Sequence, residues 1–137
     1  MLDGLFGRPE FLRLGLDGLS ARGDAITENL ANSDTPNYKR KEVEFETQLQ
    51  QIRQSGESGH MWLRTDDPRQ ISLGPSSAAD FQPEVWRATG TSLRNDGNNV
   101  DIDSEMSSLA QNEISYNAVA ELMKRDFDQI KSVIKGA

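Results

Sequence analysis

Ile102, Met106, Leu109, Glu113, Tyr116, Ala120, Met123, Phe127, Ile130 and Ile134 follow one another in steps of four and three residues without a slip. Such steps gather residues onto one side of an α-helix, whereas a strand would need strict alternation. Only Glu113 interrupts the apolar character, and neither Pro nor Gly occurs before Gly136. The spacing therefore predicts a helix from Asp101 to Lys135. Its charges agree: Asp101, Asp103 and Glu105 open the segment, and Lys124, Arg125, Lys131 and Lys135 lie toward its end, the order that opposes the helix macrodipole. Ile114, Val119, Leu122 and Val133 widen the stripe, so more than one neighbour can pack on it.

The N-terminal segment repeats the rhythm. Leu5, Leu12, Leu16, Leu19, Gly23, Ile26 and Leu30 share one four-three register, broken only at Pro9. Proline suits a first helical turn, so the firm helix is expected to begin near Pro9. Gly15, Gly18 and Gly23 weaken it, and it needs partners to hold it. Folding the two stripes antiparallel sets Leu30 against Met106, Leu16 against Ala120 and Gly23 against Glu113, with Arg22 within reach of that carboxylate. The expected fold is mainly α: long terminal helices in an antiparallel, coiled-coil-like pair, with an extended arm, a small β element and loops between them. Residues 1–32 and 101–137 form the helical core, and residues 33–100 form the middle region. One two-helix hairpin cannot cover so wide a stripe, and the chain is expected to be a subunit of an assembly.

The first helix is expected to stop near Ala31 and Asn32, in the stretch ANSDTPNYKRKEVEF. Asn32 can take a left-handed position after the last turn, and Pro36 prevents Thr35 from continuing the helix. Pro36 and Asn37 fit the centre of a type II turn, where Asn tolerates positive φ. The run after Tyr38 alternates about Val43 and Phe45, which predicts a short strand or arm. Phe45, Leu49 and Ile52 then return to helical spacing. From Ser55 to Asn99 apolar residues are sparse, and the expectation is loops with one small hairpin, some of it mobile until a neighbour covers Trp62 or Trp86. RNDGNNVDID is a turn leading into the cap of the last helix.

Composition narrows the function. A hydrophobic fraction of 35% with 7% aromatics leaves little for a thick core. A net charge of −7 argues against a nucleic-acid backbone as partner. There is no cysteine, hence no disulfide or thiol chemistry. The opening MLDGLFGRPEFLRL is too broken for a secretory signal, and no apolar run is long enough to span a bilayer. Catalysis lacks its parts: His60 is the single histidine, set in a Gly/Ser-rich loop. DGNNVDIDSE fails as a calcium loop, since Val100 or Met106 falls where a ligand or the obligatory Gly belongs. No enzyme activity, cofactor or metal is expected.

ANSDTPNYKRKEVEF resembles the N-terminal motif of bacterial flagellar axial proteins, whose usual form is Ala-Asn-x-x-Thr-Pro-Gly-Tyr. TSLRNDGNN and the helical segment after it are similar to the C-terminal region of the proximal rod proteins of that family. Ala31, Asn32, Thr35, Pro36 and Tyr38 match the motif, and Asn37 stands where Gly is usual. The resemblance implies a structural subunit of the basal-body rod, with a helical seam of Leu12, Leu16, Leu19, Ile26, Leu30, Ile102, Met106, Leu109, Tyr116, Met123, Phe127, Ile130 and Ile134. It also implies export through the flagellar type III apparatus without signal cleavage, and a place in the periplasm-spanning rod. Implied partners are other copies of the chain, the other rod proteins, the rod adaptor FliE, and the inner-membrane ring with its export gate. No nucleic acid and no small-molecule substrate is implied. A sister axial protein (FlgC-like) and a generic coiled-coil adaptor are the alternatives. The motif is expected to stop the first helix at a set height and to aim the arm sideways onto an adjacent subunit rather than back onto its own core.

Overall fold

The computed structural model describes residues 3–57, 81–89 and 95–136, with side chains placed from Arg8 to Gln54 in the first of these stretches. The readings made above at His60, Trp62 and most of the Ser55–Asn99 loop lie outside the described residues. Five elements follow in order: α1 (Asp3–Ala31), β1 (Lys41–Glu44), α2 (Glu46–Glu57), β2 (Glu84–Arg87) and α3 (Ile102–Lys135).

The last helix starts where its cap chemistry says it should. The Asp101 carboxylate accepts from the backbone N–H groups of Asp103 and Ser104, two of the donors that a helix start leaves unpaired. The first helix begins earlier than Pro9 suggests: α1 opens at Asp3 and carries Pro9 inside it. Proline at that position costs the helix one backbone bond, since it has no N–H to donate.

The two long helices lie antiparallel. Asn29 meets Glu105, a Cβ on Gly23 would stand 3.2 Å from Asn112, one on Gly15 would lie 3.9 Å from Val119, and Arg8 reaches Asp126. This register is within a residue or two of the expected one, but α3 is turned about its axis. Glu105, Asn112, Val119 and Asp126, spaced by seven, face α1. Gly23 is thus opposite Asn112, with Glu113 exposed at the rim. Arg22 points elsewhere, to Glu46.

The reason for that turn lies on the other side of α1. Val43 and Phe45 of the arm, with Leu49 of α2, pack on Leu14, Leu19 and Ala25 and form the buried core. Here the expectation of an arm aimed at a neighbour is corrected. Phe45 is 4% exposed, seated in the gap left by Gly18, where any Cβ would overlap its ring. Arg22 holds the arm by donating to the Val43 carbonyl at 3.0 Å, stacking 4.6 Å from the Phe45 ring centroid and pairing with Glu46. The apolar side of α1 is therefore spent on the arm of its own chain, and α3 meets what is left.

Among the described residues, β2 pairs antiparallel with β1, Lys41 opposite Arg87 and Val43 opposite Val85. Val43 is buried against α1, while Val85 on the neighbouring strand is 52% exposed.

Candidate assembly site

The turn after α1 is built from local geometry and clasped from a distance. Asn32 donates its backbone N–H to Glu28 O and its side-chain amide to the same carbonyl, closing the last turn. Ser33 N–H to Leu30 O and Thr35 N–H to Asn32 O then tighten the chain. Tyr38 N–H returns to Thr35 O across Pro36 and Asn37, and Asn37 has φ 60, the pattern of a type II turn. Asn37 is the one non-glycine with positive φ among the described residues, so the left-handed position falls there and not at Asn32. Ala31, Thr35, Pro36 and Asn37 are exposed, and Asn32 and Tyr38 are half-buried.

Just beyond the end of α1, three carbonyls of the turn converge on Asn98. Its side-chain amide lies 2.9–3.0 Å from the carbonyls of Asn32, Ser33 and Thr35, and the residue is 0% exposed. Asn37 N–H donates to Asp96 O and the Lys39 ammonium to Gly97 O. Asn99 accepts from Arg40 N–H and donates to Ala88 O, tying the arm to the start of α3 and the end of β2. Gly97 has φ 82, and a Cβ there would meet Asn37 Oδ1 at 2.6 Å. The TPNY turn and the DGNN turn are two halves of one joint.

Asn29, 1% exposed, is the hub beneath it. Its amide donates to Lys41 O and Glu105 Oε2, and its Oδ1 accepts from Lys41 N–H and the Tyr38 hydroxyl. One side chain thus joins α1, the turn, the arm and α3. Burial, with the Glu28 carboxylate nearby, raises the Tyr38 pKa above its usual 10.0. Arg40 links Glu105 to Glu42. Sequence reasoning missed Asn29, Asn98, Asn99 and Glu105 as a group. The available signal was two adjacent asparagines before a helix that already had Asp101 as its cap.

The remaining feature is the outer face of α3. Of the stripe residues, Ile102, Met106, Tyr116, Phe127 and Ile134 are exposed, as are Ile114, Leu122 and Val133 beside them, with Val133 and Ile134 at 78%. Leu109, Met123 and Ile130 are half-buried. On α1, Leu19 and Ile26 are buried, and Leu12, Leu16 and Leu30 half-buried. The structure thus divides the expected seam between an inner part on α1 and an outer part on α3. Where Gly23 leaves space between the helices, a groove of about 410 Å³ opens, walled by Leu19, Asp24, Leu109, Glu113 and Tyr116. Exposed apolar surface on this scale marks an interaction site. No helix among the described residues is long and apolar enough to cross a membrane.

Comparison with known proteins gives the same direction. No family model matches the chain. It is 37% identical to the flagellar basal body rod protein FlgB of Bacillus subtilis over 130 residues, 95% of each chain. It is 38% identical to FlgB of Borrelia hermsii, covering 88% of this chain and 90% of that one. With FlgB of Borreliella burgdorferi it shares 32% identity, covering 92% of this chain and 94% of the relative.

Proposed function

The chain belongs to the FlgB family of flagellar basal body rod proteins, and from that premise we propose how it works as a structural subunit of the proximal rod. It is not an enzyme, and its role in motility is mechanical. It assembles with other rod components, and the observation that carries this reading is the apolar outer face of α3, which its own chain leaves uncovered. A helical assembly covers such a face by repetition, each subunit hiding the stripe of the next, and the apolar area removed from water supplies the driving force.

In this reading the clasp sets the geometry. The TPNY turn, Asn98 and the Asn29 hub fix the angle between the helical pair and the β1–β2 arm, so that every subunit presents both at the same relative position. The seam of Met106, Leu109, Tyr116, Met123, Phe127, Ile130 and Ile134 contacts neighbouring helices, while the exposed Thr35, Pro36 and Asn37 lie at the end of the hairpin, where the next layer stacks. The adaptor FliE and the inner-membrane ring at the export gate are the partners at the base, and the subunit reaches them through the type III apparatus without signal cleavage.

The test is incorporation in cells. Phe127→Asp is expected to leave a folded, soluble protein that does not enter purified basal bodies and does not restore swimming to a strain lacking the gene. Normal swimming by that variant would remove the proposal.

A further inference from the structure

The outer stripe of α3 reads nearly the same in both directions. Reversed about its midpoint, it sets Ile102 against Ile134, Met106 against Ile130, Leu109 against Phe127, and Tyr116 against Ala120. An apolar or aromatic residue thus meets another at each of these levels. Glu113, the one polar member, falls opposite Met123 and next to Lys124.

The charges follow the same symmetry. Counted with Asp101, the N-terminal half of α3 carries Asp101, Asp103, Glu105 and Glu113 and no cation, whereas the C-terminal half carries Lys124, Arg125, Lys131 and Lys135 against Glu121, Asp126 and Asp128. Among the described residues none of these four cations forms an ion pair, and neither does Glu113 or Asp24. Glu113 and Asp24 wall the interhelical groove at Gly23, where Asn112 Oδ1 is also buried without a hydrogen-bond partner. The groove therefore offers acceptors and no cation to meet them.

We propose that the unassembled chain pairs with a second copy through α3, the two helices antiparallel about a two-fold axis. Lys124 of each copy then meets Glu113 of the other at the acidic groove. Antiparallel pairing brings the wholly acidic half of each helix onto the half of its mate that carries the cations, and parallel pairing would set the two acidic halves side by side. The contact is isologous and closes at two, so it hides both stripes without growing into a filament. It occupies the surface used in the assembly proposed above but does not rest on that reading, being a property of the purified protein alone.

Sedimentation equilibrium of the purified chain between about 1 and 200 μM, a span that brackets typical weak self-association, is expected to fit a monomer–dimer equilibrium. Lys124→Glu and Glu113→Lys, both at exposed positions, should each weaken the dimer about tenfold or more. The double variant, with the charges exchanged, should recover it while each circular dichroism spectrum stays unchanged. Because the chain has no cysteine, orientation is readable by disulfide trapping: Tyr116→Cys mixed with Ala120→Cys is expected to cross-link between the two, in preference to either with itself. A monomer throughout, open-ended growth with concentration, no recovery on exchanging the charges, or preferential Tyr116→Cys self-linking would each overturn the proposal. Normal rod incorporation with no dimer in solution would overturn this pairing and leave the rod reading intact.

Discussion

At the scale of single residues, the joint is held by a few amides with no slack. Asn98 serves three carbonyls and has no solvent to replace it. Asn98→Ala removes this donor from all three carbonyls and is expected to cost about 1–3 kcal/mol, seen as a lower midpoint in urea unfolding. Gly18→Ala tests a different limit. Helix propensity alone favours alanine by up to about 1 kcal/mol, but its Cβ would overlap the Phe45 ring in the core. Net destabilisation is expected, together with a change in near-ultraviolet dichroism; a stabilised variant would show that the arm packs less tightly than described. Tyr38 adds a pH dependence. Its pKa is raised on folding, so its contribution to stability is complete below 10.0, the usual value, and is lost as the pH climbs from there through the folded value. Tyr38→Phe should flatten the decline in stability above that pH. Glu46 acts at the other end of the scale. Burial would raise its carboxyl, but the hydrogen bond from Arg22 prevails and holds it below 4.5. The stability it contributes is present above that value and fades as the pH falls through the folded one.

At the scale of elements, α3 was the most legible part of the sequence, because its determinants are local. Stripe spacing, the absence of Pro and Gly, and Asp101 as cap all act within four residues along the chain. Asp101→Ala is expected to fray the first turn and cost about 1 kcal/mol, measurable by amide exchange at Asp103 and Ser104. The TPNY turn was legible for the same reason: Pro36 and Asn37 impose its dihedrals by themselves. The direction of the arm was not. Nothing in Val43 and Phe45 says whether they are buried by their own helix or by a neighbour's; the space at Gly18 decides it. Nor did β2 declare its partner, since a four-residue strand of exposed residues carries little pattern.

At the scale of the whole molecule, the protein hides its polar seam and shows its apolar one. Glu105, Asn112 and Asp126 lie inside the helical pair, and Phe127, Val133 and Ile134 lie outside it. That inversion is costly for a solitary chain and sensible for a subunit of a rod. It predicts that Asn112→Leu strengthens the isolated pair, raising its thermal midpoint, by replacing a half-satisfied buried amide with apolar volume. A lowered midpoint would mean that the Asn112 bond to Leu19 O outweighs the buried Oδ1 left alone.

The amino-acid sequence alone determined where α3 runs, that the two long helices pair antiparallel, where the first one stops, and that the chain belongs among rod subunits. All of these rest on spacing and capping within a few neighbouring residues, or on motifs read in order. Only the tertiary structure decided which face of α3 turns inward and which distant amides close the joint. Both depend on α1 having a single apolar side, which the arm claims first, so that α3 packs on what remains and keeps its own stripe for other chains.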